Sequence, residues 1–480
     1  MWSSEDFLNS AREASLTEED LQEICKDPRA HKILDGNSTD WVRLLQRDLW
    51  FFNSHAKVSD EAVAGLIDAV FTDFRPDCKT LDASGAKQVV NTKEQQSIFI
   101  RNLFLAALNK KNLALHRGRN YYVRNMKYDR ISHKCALKII NYLEEHDYVK
   151  LVRGGSVGGI WKISRLELSH KLVKLLLTNA TSAYVKEDYE KLVVLRDSDG
   201  IDVEYEGIPD YESFQEKIKA WEEKLFKYNQ SLINHSYKGF FDSIGHVQIH
   251  PSQFQLRRIF NHSSFLLGGR LYGGVHQNWS KIDRAKMLIN KNTVVELDYS
   301  GCMIRMMYHL LKKECPYEDP YIAVAARGKL VTNKLTPNVV RGLREVAKIA
   351  LITMVNNKGL GNAASSLNHS FFKSRAEDSL NAIVSKYDLD VVYGFVRKLM
   401  DAVLDAHKDL HTFFEKQWAA KFQAIDSEIA LDIILHLEEQ GIVALPIHDS
   451  FIVEEQHEKQ LHEAMFECYK KRLKFEPVIK

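Results

Sequence analysis

Two aspartates frame the chemistry this chain could carry. Asp298 follows the apolar run Val294, Val295 and Leu297 in NTVVELDYSGCMIRMMYHLL (292–311), a buried strand with a helix expected over 299–311. A carboxylate ending a buried strand costs several kcal/mol unless it is paired or metal-bound. Asp449 lies in His448-Asp449-Ser450, a tight turn between apolar strands around Ile442, Ala444 and Leu445 and around Phe451, Ile452 and Val453. A hairpin tip beside a strand end can offer two carboxylates to shared hard cations. Mg²⁺ takes oxygen ligands, commonly one or two carboxylates together with substrate phosphates. Two such ions about 3.5–4 Å apart stabilise the entering and leaving oxygens of an in-line phosphoryl displacement. A third segment, VVRGLREVAKIALITMVNNKG (339–359), reads as a helix with Arg341, Arg344 and Lys348 one turn apart and Glu345 as its one acid. That ladder fits a triphosphate better than a salt-bridge network. Each aspartate alone has an ordinary explanation, because Asp-Ser is a common turn pair and Asp-Tyr-Ser is a short string.

The elements that must position these residues occupy the second half of the chain. Residues 1–92 read as a mostly helical region, with Leu21, Ile24 and Cys25 on one face. Trp41, Leu44 and Leu45, and then Ala62, Val63, Leu66, Ile67, Val70 and Phe71, also keep helical spacing. The polar run RPDCKTLDASGAKQ (75–88) reads as a linker. Residues 93–180 have the order helix, helix, hairpin. A first helix carries Ile98, Leu103, Phe104 and Leu108. A second, capped by Ser132, carries Ala136, Ile139, Ile140 and Leu143. The strands YVKLV and IWKIS follow around the turn RGGSVGG. That is the grammar of a winged helix whose recognition helix would offer His133, Lys134 and Lys138 to nucleic acid. Residues 110–138 contain nine Lys/Arg and one acid, Asp129. Arg117, Arg119, Tyr121, Tyr122, Arg124 and Lys127 interleave charge with aromatic faces, as a nucleic-acid strand requires. A basic but silent subdomain is the plainer alternative. Residues 181–260 read as strands with a Ser-Asp-Gly turn, then a long amphipathic helix over 211–236, a linker with thumb-like helices. Residues 261–480 hold the catalytic segments.

Composition excludes several classes. Of 480 residues, 45% are hydrophobic and 27% charged, ample for a buried core. With 23 Gly and 9 Pro the chain is neither collagen-like nor low-complexity. No stretch of about 18 apolar residues could span a membrane, and the acidic start MWSSEDFLNSAREASLTEED is not a signal peptide, so a cytoplasmic protein is expected. The six cysteines, Cys25, Cys78, Cys135, Cys302, Cys315 and Cys468, are scattered, which argues for reduced thiols.

The three segments together, in this order, resemble motifs A, B and C of the superfamily A palm polymerases, which join DNA polymerase I with the single-subunit phage-type RNA polymerases. Asp298, Tyr299, Ser300, Arg305 and His309 match the DNA polymerase I pattern DYSxxxxRxxxH. Arg344, Lys348, Ile352 and Thr353 match the fingers helix. His448-Asp449-Ser450 matches the phage RNA polymerase form of motif C. GGRLYGG (268–274) resembles the GRxY element of the RNA polymerases. This hybrid, covering about residues 250–480, is most similar to the transposon–virus polymerase family. The resemblance implies an α+β fold, a right-hand polymerase of palm, fingers and thumb behind a winged-helix domain and a helical N-terminal region. It implies two Mg²⁺ ions (or Mn²⁺) on Asp298, Asp449 and the Tyr299 carbonyl. Arg344 and Lys348 would meet the β- and γ-phosphates and His448 the primer terminus. Ile352, Met303 and Asn356 would border the nucleotide, Arg270 and Tyr272 would touch template, and Arg305 would brace the palm. Arg119, Arg124, Lys134 and Lys138 would contact nucleic acid.

Two positions depart from the pattern. Met303 stands where DNA polymerase I enzymes place a Glu gate against the ribose 2′-hydroxyl, and Asn356 where both branches place Tyr. Sugar choice is therefore expected to be relaxed. The expected function is a template-dependent nucleotidyltransferase of a mobile element or prophage, acting on DNA template and primer with nucleoside triphosphates. A DNA polymerase, possible primase activity included, leads. A compact RNA polymerase or primase comes second, a non-catalytic replication initiator third. A phosphohydrolase built on His448-Asp449 fits poorly, since His309 and His407 lack the needed context.

Overall fold

The computed structural model describes residues 49–480 apart from 53–57, 59, 75–78, 82–86, 90–91, 116–129, 158–159, 181–183, 185, 187, 199, 209–210, 243, 373–378 and 415–417. The expected helices before residue 49 lie outside the described residues. The chain mixes helices with small, mainly antiparallel sheets, compatible with the α+β class. No helix among the described residues is long and apolar enough to cross a membrane. It divides into two compact units that interleave in sequence. One is residues 1–188, 236–253 and 278–291; the other is 189–235, 254–277 and 292–480. The expected linear boundaries at 92, 180 and 260 do not follow that division, because residues 236–253 and 278–291 return to the first unit.

In the first unit, helix Thr92–Leu108 buries Ile98, Phe99, Leu103, Phe104 and Leu108. Helix His133–Glu145 buries Ala136, Ile139, Ile140 and Leu143. The helical spacing of each sequence segment dictates these faces. Ser132 sits at the N-cap, but its hydroxyl makes no cap; its N–H instead donates to Gln95 Oε1 at 2.8 Å. Strand Val149–Val152 pairs antiparallel with Ser164–Leu168 rather than with the expected IWKIS. Ile160–Lys162 pairs with Gly155–Val157 as a separate ladder inside that connection. The sheet runs Leu49–Phe51, Asn112–Leu115, Ser164–Leu168, Val149–Val152. The expected linker over 75–88 contains part of a ladder, Lys79–Leu81 against Lys87–Val89.

In the second unit, strands Arg257–Asn261 and Ser264–Tyr272 form an antiparallel pair, flanked by Val193–Arg196 and Asp202–Val203. Helix Ala419–Glu438 packs on Ser264–Tyr272. Helix Tyr211–Ser231 ends in a single tight turn, Leu232–Asn234. The buried Asn229 before it exchanges hydrogen bonds of 2.8 Å with both backbone groups of Leu256. A three-stranded sheet orders Val294–Asp298, Ser450–Glu454, Leu445–Ile447. Two boundaries differ from expectation. The strand before the turn starts at Leu445, not Ile442. The helix after Asp298 starts at Cys302, because Tyr299 continues the extended backbone against Ile479 and Gly301 turns it with φ 63°. That left-handed turn suits glycine.

Candidate functional site

The second unit holds a cleft of about 400 Å³ lined by residues of all three chemistry-bearing segments, Asp298, Asp449, Arg344 and Lys348. Strand pairing explains the first two. Val294–Asp298 runs antiparallel to Ser450–Glu454 with Asp298 opposite Ser450, so the strand end meets the hairpin tip. The Tyr299 N–H donates to the Asp449 carbonyl at 3.3 Å. On the other edge Asp298 exchanges both backbone hydrogen bonds with Lys480, each 2.9 Å, and Lys480 also lines the cleft. His448 enters the turn at φ 60°, a left-handed conformation uncommon outside glycine and frequent at functional sites. Its ring meets Tyr272 edge-on at 5.4 Å, and neither residue lines the cleft itself. Burial, then the Arg270 charge, lowers the His448 imidazole to about 4, so it is neutral near pH 7.

Helix Pro337–Asn356 supplies the cations. Thr336 caps it through the Val339 N–H, Pro337 opens it, and Val339, Leu343, Val346, Ala350 and Met354 form its buried face. Arg344, Lys348, Ile352 and Asn356 recur every four residues, and all line the cleft with Met303. Arg341 is exposed and does not line it. The expectation that the ladder avoids salt bridges fails at Arg344. Its Nε donates to Asp319 at 2.7 Å and its Nη1 to Glu345 at 3.0 Å. Asp319 belongs to another element, the N-cap of Pro320–Ala325, where its second oxygen accepts from the Tyr321 and Ile322 N–H groups. Lys348 is exposed and has no ion pair among the described residues.

The sequence did not single out Asp426, which lines the same cleft and is buried. Burial raises its carboxyl to about 7; Arg270 opposes that rise, and Asp449 and Asp298 add to it. Arg270 Nε donates to Asp426 at 3.0 Å. A polar interruption was visible, since Phe422, Asp426, Ile429, Ile433 and Leu437 form one helical stripe with an acid inside it. Arg305 is buried and donates to the carbonyls of Ser300, Tyr317 and Glu318, which braces the loop after its own helix. His309 stacks on Phe475 and meets the Tyr469 hydroxyl at 2.9 Å, away from the cleft.

Among the described residues no group of three or more His, Cys, Asp or Glu is arranged to hold a metal ion unaided. Asp298, Tyr299 and Asp449 all line the cleft. In the first unit, Lys134 is exposed and Lys138 half-buried on helix His133–Glu145. Arg119 and Arg124 lie outside the described residues. No protein-family model and no curated protein matches the chain.

Proposed function

We propose that the chain is a template-dependent nucleotidyltransferase, foremost a DNA-directed DNA polymerase of a mobile element or prophage. It would be allied to the superfamily A palm polymerases and nearest the transposon–virus polymerases. One observation carries the reading: Asp298, Asp449, Arg344 and Lys348, drawn from three distant segments, line one cleft. In this reading the sheet bearing both aspartates belongs to the palm and helix Pro337–Asn356 to the fingers. Residues 93–180 act as a winged helix that places Lys134 and Lys138 on DNA. The succession of helix, strand, helix and paired strands around Asn112–Leu115 supports that assignment.

Mg²⁺, or Mn²⁺ in its place, fits the donor set. Asp298 lies opposite Ser450, next to Asp449, and both acids line the cleft with the buried Asp426; a divalent cation relieves the mutual repulsion of clustered carboxylates. Asp298, Asp449 and the Tyr299 carbonyl would hold it. When bound, the metal pair supplies Lewis-acid activation of the primer 3′-hydroxyl and charge neutralisation at the leaving group. Lys348 and Arg344 orient the triphosphate and balance its charge, as fixed cations do in phosphoryl transfer. Arg344 keeps its Nε on Asp319 and its Nη1 on Glu345 and turns Nη2 to phosphate. Neutral His448 packs at the primer terminus without competing for it as a cation. Arg270 and Tyr272 hold template. Ile352, Met303 and Asn356 border the nucleotide.

A second reading, an RNA polymerase or primase, is favoured by Met303. It lines the cleft with no carboxylate of its own to exclude a 2′-hydroxyl. The test is extension on a short DNA template with Mg²⁺, with dNTPs or rNTPs, with and without primer. Product from dNTPs on primed template alone supports the DNA polymerase. Unprimed product from rNTPs supports the primase. No product in any lane, with DNA still bound, refutes both and leaves a DNA-binding initiator.

A further inference from the structure

Asp426 has the least expected setting in the cleft. It is 4% exposed, in the apolar stripe of helix Ala419–Glu438. An ionised carboxylate is costly to bury unless it is paired, and its partner is Arg270, Nε to Oδ2 at 3.0 Å.

A neighbouring pair between the same helix and strand Arg257–Asn261 gives the contrast. Arg258 is 1% exposed. Its Nη1 lies 2.6 Å from Glu428, its Nη2 donates to Ser427 Oγ and its Nε to the Gly269 carbonyl. The guanidinium also lies 4.3 Å from the Trp221 ring centre and 4.8 Å from that of Phe260. Each nitrogen of Arg258 faces a partner inside the protein, Nη1 through the ion pair alone, and Arg258 does not line the cleft. That pair locks helix to sheet. Arg270, on the partner strand of the same hairpin, differs. Its side chain is 22% exposed and lines the cleft, and its only hydrogen bond to a described residue is through Nε. Guanidinium carries five N–H donors in a rigid fork, so both Nη groups remain for a ligand.

We infer that Asp426 is a positioning residue, which grips Arg270 by Nε so that its two Nη groups are presented to the template–primer. The inference rests on the polymerase reading, in which Arg270 meets nucleic acid. The grip removes rotamer freedom that a lone arginine would lose on binding.

The test uses the full chain with Mg²⁺ and primed DNA. Steady-state extension is measured against template–primer concentration, and binding to the same DNA by fluorescence anisotropy. Asp426→Asn is expected to raise both KM for template–primer and Kd about tenfold, with kcat within about threefold. Asp426→Glu should recover part of that loss, and adding Arg270→Lys to Asp426→Asn should cost little more. Glu428→Gln is the structural comparison, expected to lower Tm while leaving KM and Kd within about twofold. A fall in kcat above about a hundredfold at unchanged KM would overturn the inference, because Asp426 would then act on the reacting groups. So would a fall in Tm with KM and Kd unchanged, the mark of a mere brace. Should Asp426→Asn melt below the assay temperature, Arg270→Lys and Asp426→Glu decide. Both keep the charges and move the grip, so each must raise KM or Kd at least about threefold; unchanged values refute the inference. If the unaltered chain incorporates no nucleotide, the polymerase reading fails by itself. Anisotropy then decides the role of Asp426: a tenfold loss of DNA affinity upholds it, and unchanged affinity refutes it.

Discussion

Lys348→Met separates ligand binding from folding more cleanly than any other change in the cleft. Lys348 is exposed, lines the cleft and has no ion pair among the described residues, so the folded chain loses almost nothing when its charge goes. Surface substitutions away from special features stay within about 0.5 kcal/mol. A charge-assisted hydrogen bond to phosphate contributes about 1.5–3 kcal/mol, which at about 1.4 kcal/mol per tenfold is a loss of roughly 10- to 150-fold in kcat/KM for the nucleotide. Arg344→Met differs. It removes the same kind of phosphate contact and also strips Asp319 of its 2.7 Å partner, so Tm should fall with activity. Single-nucleotide incorporation against nucleotide concentration, beside thermal melting, reads both quantities. Lys348→Met with unchanged kcat/KM would refute the placement of the triphosphate on this helix face. An equal fall of Tm in both variants would refute the reasoning that only Arg344 is structurally engaged.

Gly342→Ala should destabilise by about 1–3 kcal/mol despite alanine's better helix propensity. The new Cβ would lie 2.6 Å from the Tyr387 Cβ; a rise in Tm would contradict that packing. His407 is enclosed, with Nδ1 at 3.1 Å from the Tyr308 hydroxyl and Nε2 at 3.1 Å from the Pro320 carbonyl. Burial lowers its imidazole from 6.5 to about 4, so the unfolded chain takes up the proton first as pH falls. Stability is then whole above pH 6.5 and lost between 6.5 and about 4, by at most about 1.4 kcal/mol per pH unit. His309 and His448 act in the same sense and the raised Asp426 carboxyl in the opposite one, so His407→Gln should make the acid slope of Tm shallower. An unchanged slope contradicts the assignment. In the proposed reading, selection between dNTPs and rNTPs should stay below about 10⁴, because Met303 carries no carboxylate gate and the Asn356 amide can hydrogen-bond a 2′-hydroxyl rather than exclude it. Paired kinetics giving a larger ratio would refute relaxed sugar choice.

The features legible in the sequence are local. The strand ending at Asp298, the turn at His448-Asp449 and the helix carrying Arg344 and Lys348 each announce themselves within about 20 residues, by apolar period and cap chemistry. Errors of register arose where one backbone angle decides, as at Gly301, whose left-handed φ delays the helix to Cys302. Ion pairs across long separations were not legible. Asp319 meets Arg344, and Asp426 meets Arg270, from elements that no periodicity links. The Arg344 pairing overturned the expectation of an unpaired ladder, since the partner acid lay outside the helix. Strand Asn112–Leu115 escaped notice because it is four residues long and embedded in a basic run.

The central claim is that Asp298 and Asp449 together perform metal-assisted nucleotidyl transfer in the cleft. Its most direct test is Asp449→Asn beside the unaltered chain in Mg²⁺-dependent primer extension, with DNA binding and Tm measured on the same preparations. Asp449→Asn is expected to lose synthesis by about 10³-fold or more, the scale of losing a preorganised charge at a reacting centre, with DNA affinity kept or tightened and Tm unchanged. Synthesis that persists at a comparable rate in Asp449→Asn, or an unaltered chain whose synthesis proceeds equally after chelation of divalent cations, would contradict it.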